Sequence, residues 1–159
     1  MSESLARVKD ALKRFKVDTQ IHETNGEART AQQAADELGC ELDQIAKSLI
    51  FQGQRTGEFL LFLTAGSQKV DPERALPMVG QPIERADPYE VEDVTGFAIG
   101  GVAPLGHLKK LRTWMDPHLL FHETVWAAAG TPRHVFPISP ALLSGITKAQ
   151  VYDFTARSK

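Results

Sequence analysis

Four apolar residues near the N-terminus recur at helical spacing: Leu5, Val8, Leu12 and Phe15. Lysine, arginine and aspartate residues lie between them, so the segment 4–15 predicts an amphipathic first helix. A second helix is predicted from Thr30 to Gly39, because threonine is a common N-cap and glycine a common helix stop.

Other apolar residues form short runs that are typical of strands. The clearest are IAKSLIF (45–51) and EFLLFLT (58–64), which the turn-rich QGQRTG separates, and together they predict an antiparallel hairpin. Further strands are expected at 17–23, 111–115, 124–128 and 135–138. Three capping pairs predict helix starts: Asp71-Pro72, Asp87-Pro88 and Ser139-Pro140.

The order of these elements indicates the fold class. Strands outnumber helices and often follow one another without a helical crossover, which favours a mixed sheet over a doubly wound parallel one. The chain of 159 residues is 42% hydrophobic, enough for one buried core. We expect one α+β domain over 1–159, with helices flanking a curved, barrel-like, largely antiparallel sheet.

Net charge and hydropathy limit the classes of partner that the protein can bind. The formal net charge is −2, so binding to nucleic acid along the whole surface is not expected, and neither is a DNA partner. No apolar run approaches the ~20 residues of a membrane span, and the charged N-terminus does not resemble a signal sequence. These features indicate a cytoplasmic protein.

Metal-binding and nucleophilic residues are sparse. Cys40 is the single cysteine, which excludes an internal disulfide, and we expect it to be structural. His118 and His122 have the spacing of two metal ligands on a helix, but the sequence after them favours a strand. We therefore expect no metal and no other cofactor. The P-loop, GxSxG and HExxH motifs are absent.

The segment 97–114 combines a loop with a basic patch. Gly100 and Gly101 permit positive φ and close approach, and Pro104 stiffens the chain, so a rigid loop that offers backbone amides to a ligand is predicted. The basic residues that follow it are His107, Lys109, Lys110 and Arg112, and Trp114 adds an aromatic face suited to nucleic acid. The alternative is a glycine turn before a solvated strand.

Lys47 and His134 are the other candidate polar residues. Lys47 is the one charge in an aliphatic run, so it either extends to solvent or faces a pocket that holds an anion or carbonyl. His134 follows a Gly-Thr-Pro turn and either contacts a ligand or is a half-exposed strand residue.

Five segments, in order, resemble the YbaK-type aminoacyl-tRNA deacylases, which are related to the editing insertion domain of bacterial prolyl-tRNA synthetases. The segments are AADELG, IAKSLIF, FLLFLTAGSQKVD, ADPYEVEDVTGFAIGGVAPLGH and TVWAAAGTPRHVF. The features most specific to this family are the strand lysine, Lys47, and the GxxxP loop from Gly100 to Pro104. In this family they frame the pocket for the 3′ adenosine and its aminoacyl ester.

The resemblance implies hydrolysis in trans of the ester that joins a mischarged amino acid to tRNA. The catalytic groups would be Lys47 and the backbone amides of Gly100, Gly101 and Val102, which could bind the oxyanion or position the ester. No side chain is an obvious general base, so a positioned water, helped by the ribose hydroxyl, would attack. Lys47 would anchor the terminal phosphate or add positive potential at the ester.

The resemblance also suggests the substrate and the contacts to it. Cysteine-specific members have a serine and a Gly-Lys/Arg-Gly turn where this chain has AAAGTPRH, so alanine on tRNA(Pro) is expected first, with cysteine or serine next. Residues expected to contact the substrate are Pro104, Ala128, Gly130 and His134. The 3′ CCA end is the partner, with transient contact to prolyl-tRNA synthetase. A non-catalytic module that binds the tRNA end or a synthetase, and a small-molecule hydrolase, are the alternatives.

Acceptor binding is assigned to the basic segment after the loop. Its members are His107, Lys109, Lys110 and Arg112, with Lys69 and Arg74 as further charges. A few phosphate contacts would give modest, salt-sensitive affinity. The alternative is that these residues only solubilise one face.

Overall fold

A computed structural model describes residues 2–26 and 30–157. In these ranges the α-helices are α1 (Glu3–Arg14), α2 (Ala31–Leu38), α3 (Pro72–Val79), α4 (Pro88–Thr95) and α5 (Pro140–Thr147). The strands are β1 (His22–Glu23), β2 (Ile45–Gly53), β3 (Phe59–Ala65), β4 (Ile83–Arg85), β5 (Arg112–Met115), β6 (Val125–Ala128), β7 (His134–Ile138) and β8 (Gln150–Val151). Two 3-10 helices span Leu42–Gln44 and Pro117–Phe121.

All of these strands belong to a single sheet. Its order is β1-β7-β6-β2-β3-β5-β8, and β4 also pairs with β2. Four pairings are antiparallel, including the predicted β2/β3 hairpin, and β6/β2, β3/β5 and β5/β8 are parallel. The mixed, largely antiparallel α+β fold is thus confirmed. Over the described residues the sheet is open, with β1 and β8 at its ends, and does not close into a barrel.

The predicted helix starts are correct because their caps form. Thr30, Asp71, Asp87 and Ser139 each accept a backbone N–H in the first turn of the helix that follows. Gly39 ends α2 in the left-handed conformation, as predicted.

The predicted strand over 17–23 is wrong except for its last two residues. Only His22 and Glu23 pair, and they pair with β7. Continuing that register places Gln20 opposite Pro137, which has no N–H to donate, and the Pro137 carbonyl accepts the Thr19 hydroxyl instead.

Apolar side chains pack on both faces of the sheet. The larger cluster joins α1 to β2, β3 and the loop after α4, and a second cluster contains Phe62, Trp114 and Phe154. Trp114 is 2% exposed and stacks on Phe62 with 5.2 Å between ring centroids. The expectation that Trp114 offers an aromatic face to nucleic acid is therefore wrong, since its ring is part of the core.

Candidate functional site

A gap in the strand pairing of β2 creates the site. On the edge opposite β3, β2 pairs with β6 only at Ile45 and Ala46, and with β4 only from Phe51 onward. Among the described strands, none pairs with the segment 47–50 on that edge. The Ile50 carbonyl accepts the Ala86 N–H there at 3.2 Å, so the backbone polar groups of Ser48, two residues earlier, point to the same gap.

A cavity of about 280 Å³ opens on this gap. Five residues singled out from the sequence line it: Lys47, Gly100, Val102, Ala128 and His134. They come from β2, the loop after α4, β6 and β7. The fold therefore brings into one cavity residues that are up to 87 positions apart in the sequence, counted from Lys47 to His134.

The loop at Gly100 and Gly101 has the unusual backbone conformation that the sequence predicts. One of its three predicted free amides is already hydrogen-bonded within the loop. Gly100 has φ 95°, and the Gly101 N–H donates to the Ala98 carbonyl at 3.0 Å. This turn occupies the Gly101 amide, which argues against its predicted role as an oxyanion donor. Within 2–26 and 30–157, no hydrogen-bond acceptor is found for the amides of Gly100 and Val102.

Three other predicted site residues support the cavity walls without lining the cavity. A Cβ on Gly101 would lie 2.7 Å from the Thr131 Cα, and one on Gly130, which has φ 98°, would lie 2.7 Å from the Ser4 carbonyl oxygen. Pro104 is buried. The two glycines permit tight packing of the walls, and the predicted substrate contacts Pro104 and Gly130 are absent from the cavity lining that the structure describes.

Lys47 is a half-buried cation at the cavity. Its Nζ donates to the Gln68 carbonyl at 2.7 Å. Burial lowers the pKa of Lys47, the nearby Arg85 lowers it further, and Asp116 and Asp43 act in the opposite direction. The ammonium is thus held near the cavity with incomplete compensation of its charge.

Arg85 lines the same cavity and was missed by the sequence reasoning. It lies opposite Phe51 in the β2/β4 pairing, with its guanidinium carbon 5.4 Å from the Phe51 ring centroid. No acidic partner for it is found among the residues that the structure describes. No spacing in the sequence links Arg85 to Lys47, because only the pairing of β4 with β2 brings them together.

Ser48 was also missed. Its hydroxyl oxygen is buried and has no hydrogen-bond partner in the described structure. Ser48 belongs to the segment 47–50 of β2 and lines the cavity. A buried, unsatisfied hydroxyl is unusual enough to suggest a binding role.

His134 is held in place by its own turn. Its Nδ1 lies 2.6 Å from the Thr131 hydroxyl oxygen, which also accepts the Arg133 N–H. Its Nε2 lies 3.9 Å from a Glu23 carboxylate oxygen across the β1/β7 pairing. The ring is therefore fixed between the turn and β1 at the cavity wall.

The predicted basic patch is smaller than its sequence indicates. Lys109 and Lys110 are exposed. His107 is half-buried with Nε2 2.7 Å from the Ala103 carbonyl oxygen, and burial lowers its pKa, which disfavours the charged form that a phosphate contact needs. Arg112 makes two 2.8 Å hydrogen bonds to Glu58.

The remaining predicted cations and the histidine pair have structural partners. Arg74 donates to the Thr155 carbonyl at 2.8 Å and pairs with Asp153, whereas Lys69 is exposed. The Nδ1 of His118 lies 2.6 Å from an Asp116 carboxylate oxygen, and the Nδ1 of His122 lies 3.6 Å from a Glu41 carboxylate oxygen. Each histidine is therefore paired with a different acidic side chain. In the described residues no group of three or more histidine, cysteine or acidic side chains could hold a metal.

No helix of the described chain is both long and apolar enough to cross a membrane. The fold and cavity define a class of protein: a single α+β domain whose pocket is lined by two cationic side chains, a glycine loop and an apolar wall. Residues 25–145 match the model of the aminoacyl-tRNA editing domain, so the chain belongs to that family. Its enzyme class is a hydrolase of the aminoacyl-tRNA ester bond.

Individual relatives agree with this family. The chain is 30% identical over 149 residues to the uncharacterized protein YwhH of Bacillus subtilis, covering 94% of each chain. It is 24% identical over 129 residues to EbsC of Enterococcus faecalis, described as a candidate Cys-tRNA(Pro)/Cys-tRNA(Cys) deacylase, covering 80% of this chain and 78% of that one. A crystal structure described as a candidate trans-editing enzyme for prolyl tRNA synthetase superposes with a TM-score of 0.92 at 42% identity, covering 99% of both chains.

Proposed function

We propose that this protein acts in trans to remove a small amino acid from mischarged tRNA(Pro), with alanine as the first candidate and cysteine or serine next. It would act in the cytoplasm on the free 3′ end of the tRNA, with transient contact to prolyl-tRNA synthetase. The observation that carries the proposal is the convergence of Lys47, the Gly100 and Val102 amides and His134 on one cavity.

The size of the cavity supports a small aminoacyl group. A volume of about 280 Å³ equals that of roughly nine water molecules. This accommodates a small side chain and part of the ribose, so the adenine would lie at the mouth. Ala127 and Ala128 contribute small apolar surfaces to the wall.

The chemistry needs stabilisation of one developing charge. When water attacks the ester carbonyl, negative charge develops on the carbonyl oxygen, and the Gly100 and Val102 amides, which have no acceptor in the described structure, are suited to donate hydrogen bonds to it. The C–O bond to the ribose then breaks and the ribose oxygen takes a proton. Among the described residues, no carboxylate lines the cavity, which favours assistance by the neighbouring ribose hydroxyl.

Two cations are suited to the terminal phosphate. Lys47 and Arg85 both line the cavity, and Arg85 is exposed at this position. A phosphate would compensate their positive charges without a change in the fold. In this proposal Lys47 thus binds the terminal phosphate, and His134 faces the amino acid.

The choice between alanine and cysteine rests on opposing arguments. The apolar wall suits alanine, whereas the EbsC relative is described as a candidate deacylase for cysteine. The two side chains differ by a single thiol, which an apolar pocket discriminates by only about 1–3 kcal/mol. We therefore place both in the test.

The test is release of amino acid from tRNA(Pro) charged with alanine, cysteine, serine or proline. We expect fast release of alanine or cysteine, retention of proline, and a rate at least tenfold lower for Lys47→Met, because the phosphate loses one contact and the ester loses positive potential. Lys13→Met, an exposed change on α1, is the matched control and should match wild type. Release of none of the four, or an unchanged rate in Lys47→Met, would contradict the proposal.

A further inference from the structure

Helix α1 lies outside the segment 25–145 that matches the family model, yet it contacts the loop that forms one cavity wall. The contact is made by Arg7. Its Nη2 donates to the Gly96 carbonyl at 2.5 Å and its Nε donates to the Gly106 carbonyl at 3.3 Å. Its guanidinium carbon also lies 4.7 Å from the centroid of the buried Phe97 ring.

These two carbonyls belong to the two ends of the glycine loop. Gly96 and Gly106 have φ 79° and 81°, so each is a point where the chain turns in a way that other residues resist. Between them lie Gly100 and Val102, which line the cavity. A single guanidinium thus closes the base of the segment 96–106.

The fit between the loop and Arg7 is close. A Cβ at Gly96 would collide with the Arg7 guanidinium, and a Cβ at Gly106 would lie 3.3 Å from the Arg7 carbonyl oxygen. The planar guanidinium supplies two N–H groups in a fixed geometry, which an ammonium does not. The geometry is therefore specific for arginine and for glycine at both carbonyl positions.

The same helix also supports an adjoining part of the cavity wall. The Ser4 carbonyl oxygen would lie 2.7 Å from a Cβ at Gly130, whose turn carries Thr131 and His134. Gly101 in turn packs against the backbone of Thr131. Helix α1 therefore touches two segments of the cavity wall that pack against each other.

We infer that Arg7 is a positioning residue for the reaction, holding the Gly100 and Val102 amides in register with the ester through the two ends of their loop. This inference rests on the proposed deacylase function. A displacement of about 1 Å at the reacting centre costs up to a hundredfold in rate, whereas Arg7 itself does not line the cavity. The loss should consequently appear in kcat more than in KM.

The experiment compares Arg7→Met and Arg7→Lys with Arg14→Met, measuring kcat and KM on the tRNA that wild type deacylates. Arg14 lies on the same helix, is exposed, and has its guanidinium over Phe15. We expect roughly a ten- to hundredfold fall in kcat for Arg7→Met with KM within about twofold, a fall for Arg7→Lys as well, and no change for Arg14→Met.

Chemical rescue and hydrogen exchange separate positioning from a general loss of stability. Ethylguanidinium should restore part of kcat in Arg7→Ala and none in Arg14→Ala. Amide exchange at Gly101 should accelerate in Arg7→Met while α5 amides keep their rates. A lowered melting temperature with unchanged kcat in the folded Arg7 variants, or failure of rescue, would overturn the inference.

The outcomes also distinguish this inference from the proposed function. If wild type releases no amino acid from any charged tRNA, the proposed function fails and the Gly101 exchange result still tests the loop contact. If wild type is active and Arg7→Met keeps its kcat, the function stands and the positioning role of Arg7 is excluded.

Discussion

His107 illustrates how burial changes the chemistry of a residue. In the sequence it belongs to a run of basic residues after a glycine loop. In the fold its Nε2 lies 2.7 Å from the Ala103 carbonyl, and since that oxygen only accepts, Nε2 donates. The ring therefore holds the loop from within and has a lowered pKa because of burial.

The lowered pKa of His107 predicts acid sensitivity. Below pH 6.5, the ordinary pKa of histidine, the unfolded chain binds a proton that the folded chain resists, so the free energy of unfolding falls as pH decreases until the lowered pKa is reached. We expect His107→Gln, whose amide can still donate to Ala103, to lose less stability than wild type between pH 7 and pH 5. Urea unfolding midpoints at each pH measure this. Parallel pH profiles in the two proteins would disprove it.

At the scale of elements, the loop after α4 and the turn after β6 are packed together without side chains between them. Gly101 has no room for a Cβ because the Thr131 backbone lies in its place. Gly100 instead has space, with Pro132 at 3.9 Å, but has φ 95°. The two glycines are thus needed for different reasons, one for space and the other for backbone conformation.

Gly101→Ala should therefore separate the two walls. We expect a stability loss of about 1–3 kcal/mol from overpacking and a fall in kcat of at least tenfold, because the Gly100 and Val102 amides move with the loop. Gly145→Ala is the matched control, since a Cβ there meets nothing within 4 Å in helix α5. That control should be neutral or up to about 1 kcal/mol more stable. Thermal unfolding and single-turnover kinetics check both, and full activity in Gly101→Ala would refute the packing argument.

At the scale of the whole molecule, the charge distribution limits how the tRNA is bound. The net charge of −2 gives no general attraction to a polyanion. Of the cations after the loop, Arg112 is paired with Glu58, which holds the pKa of that carboxyl below its usual value, whereas Lys109 and Lys110 extend into solvent. We propose that these two lysines make the phosphate contacts of the acceptor.

This assignment predicts a difference in salt dependence. The double change Lys109→Gln with Lys110→Gln should make the negative slope of log(kcat/KM) against log[salt] shallower by about 1–2, since each lost phosphate contact releases about one counterion less. Arg112→Gln should leave the slope unchanged and cost at most about 1 kcal/mol of stability, because its partner is Glu58 at an exposed position. Equal slopes for all three proteins would exclude the two lysines from tRNA binding.

Much of the local structure was determined by the sequence itself. Thr30 and Gly39 bound α2, the Asp-Pro pairs start their helices, and the hairpin at 45–51 and 58–64 forms, because caps, turns and apolar runs act over a few residues. The resemblance to editing domains, now shown by the family match, also came from the order of short motifs.

Only the tertiary structure decided the cavity and its contents. The gap between β6 and β4 on β2 arises from pairings across the sheet, and it brings Arg85 to the same cavity as Lys47 and Ser48, which are neighbours in the sequence. Burial turned His107 and Trp114 into structural residues, and the Gly101 amide is occupied by a turn. These outcomes depend on which groups become buried, because burial removes water as a hydrogen-bond partner. Burial in turn depends on contacts between segments far apart in the chain.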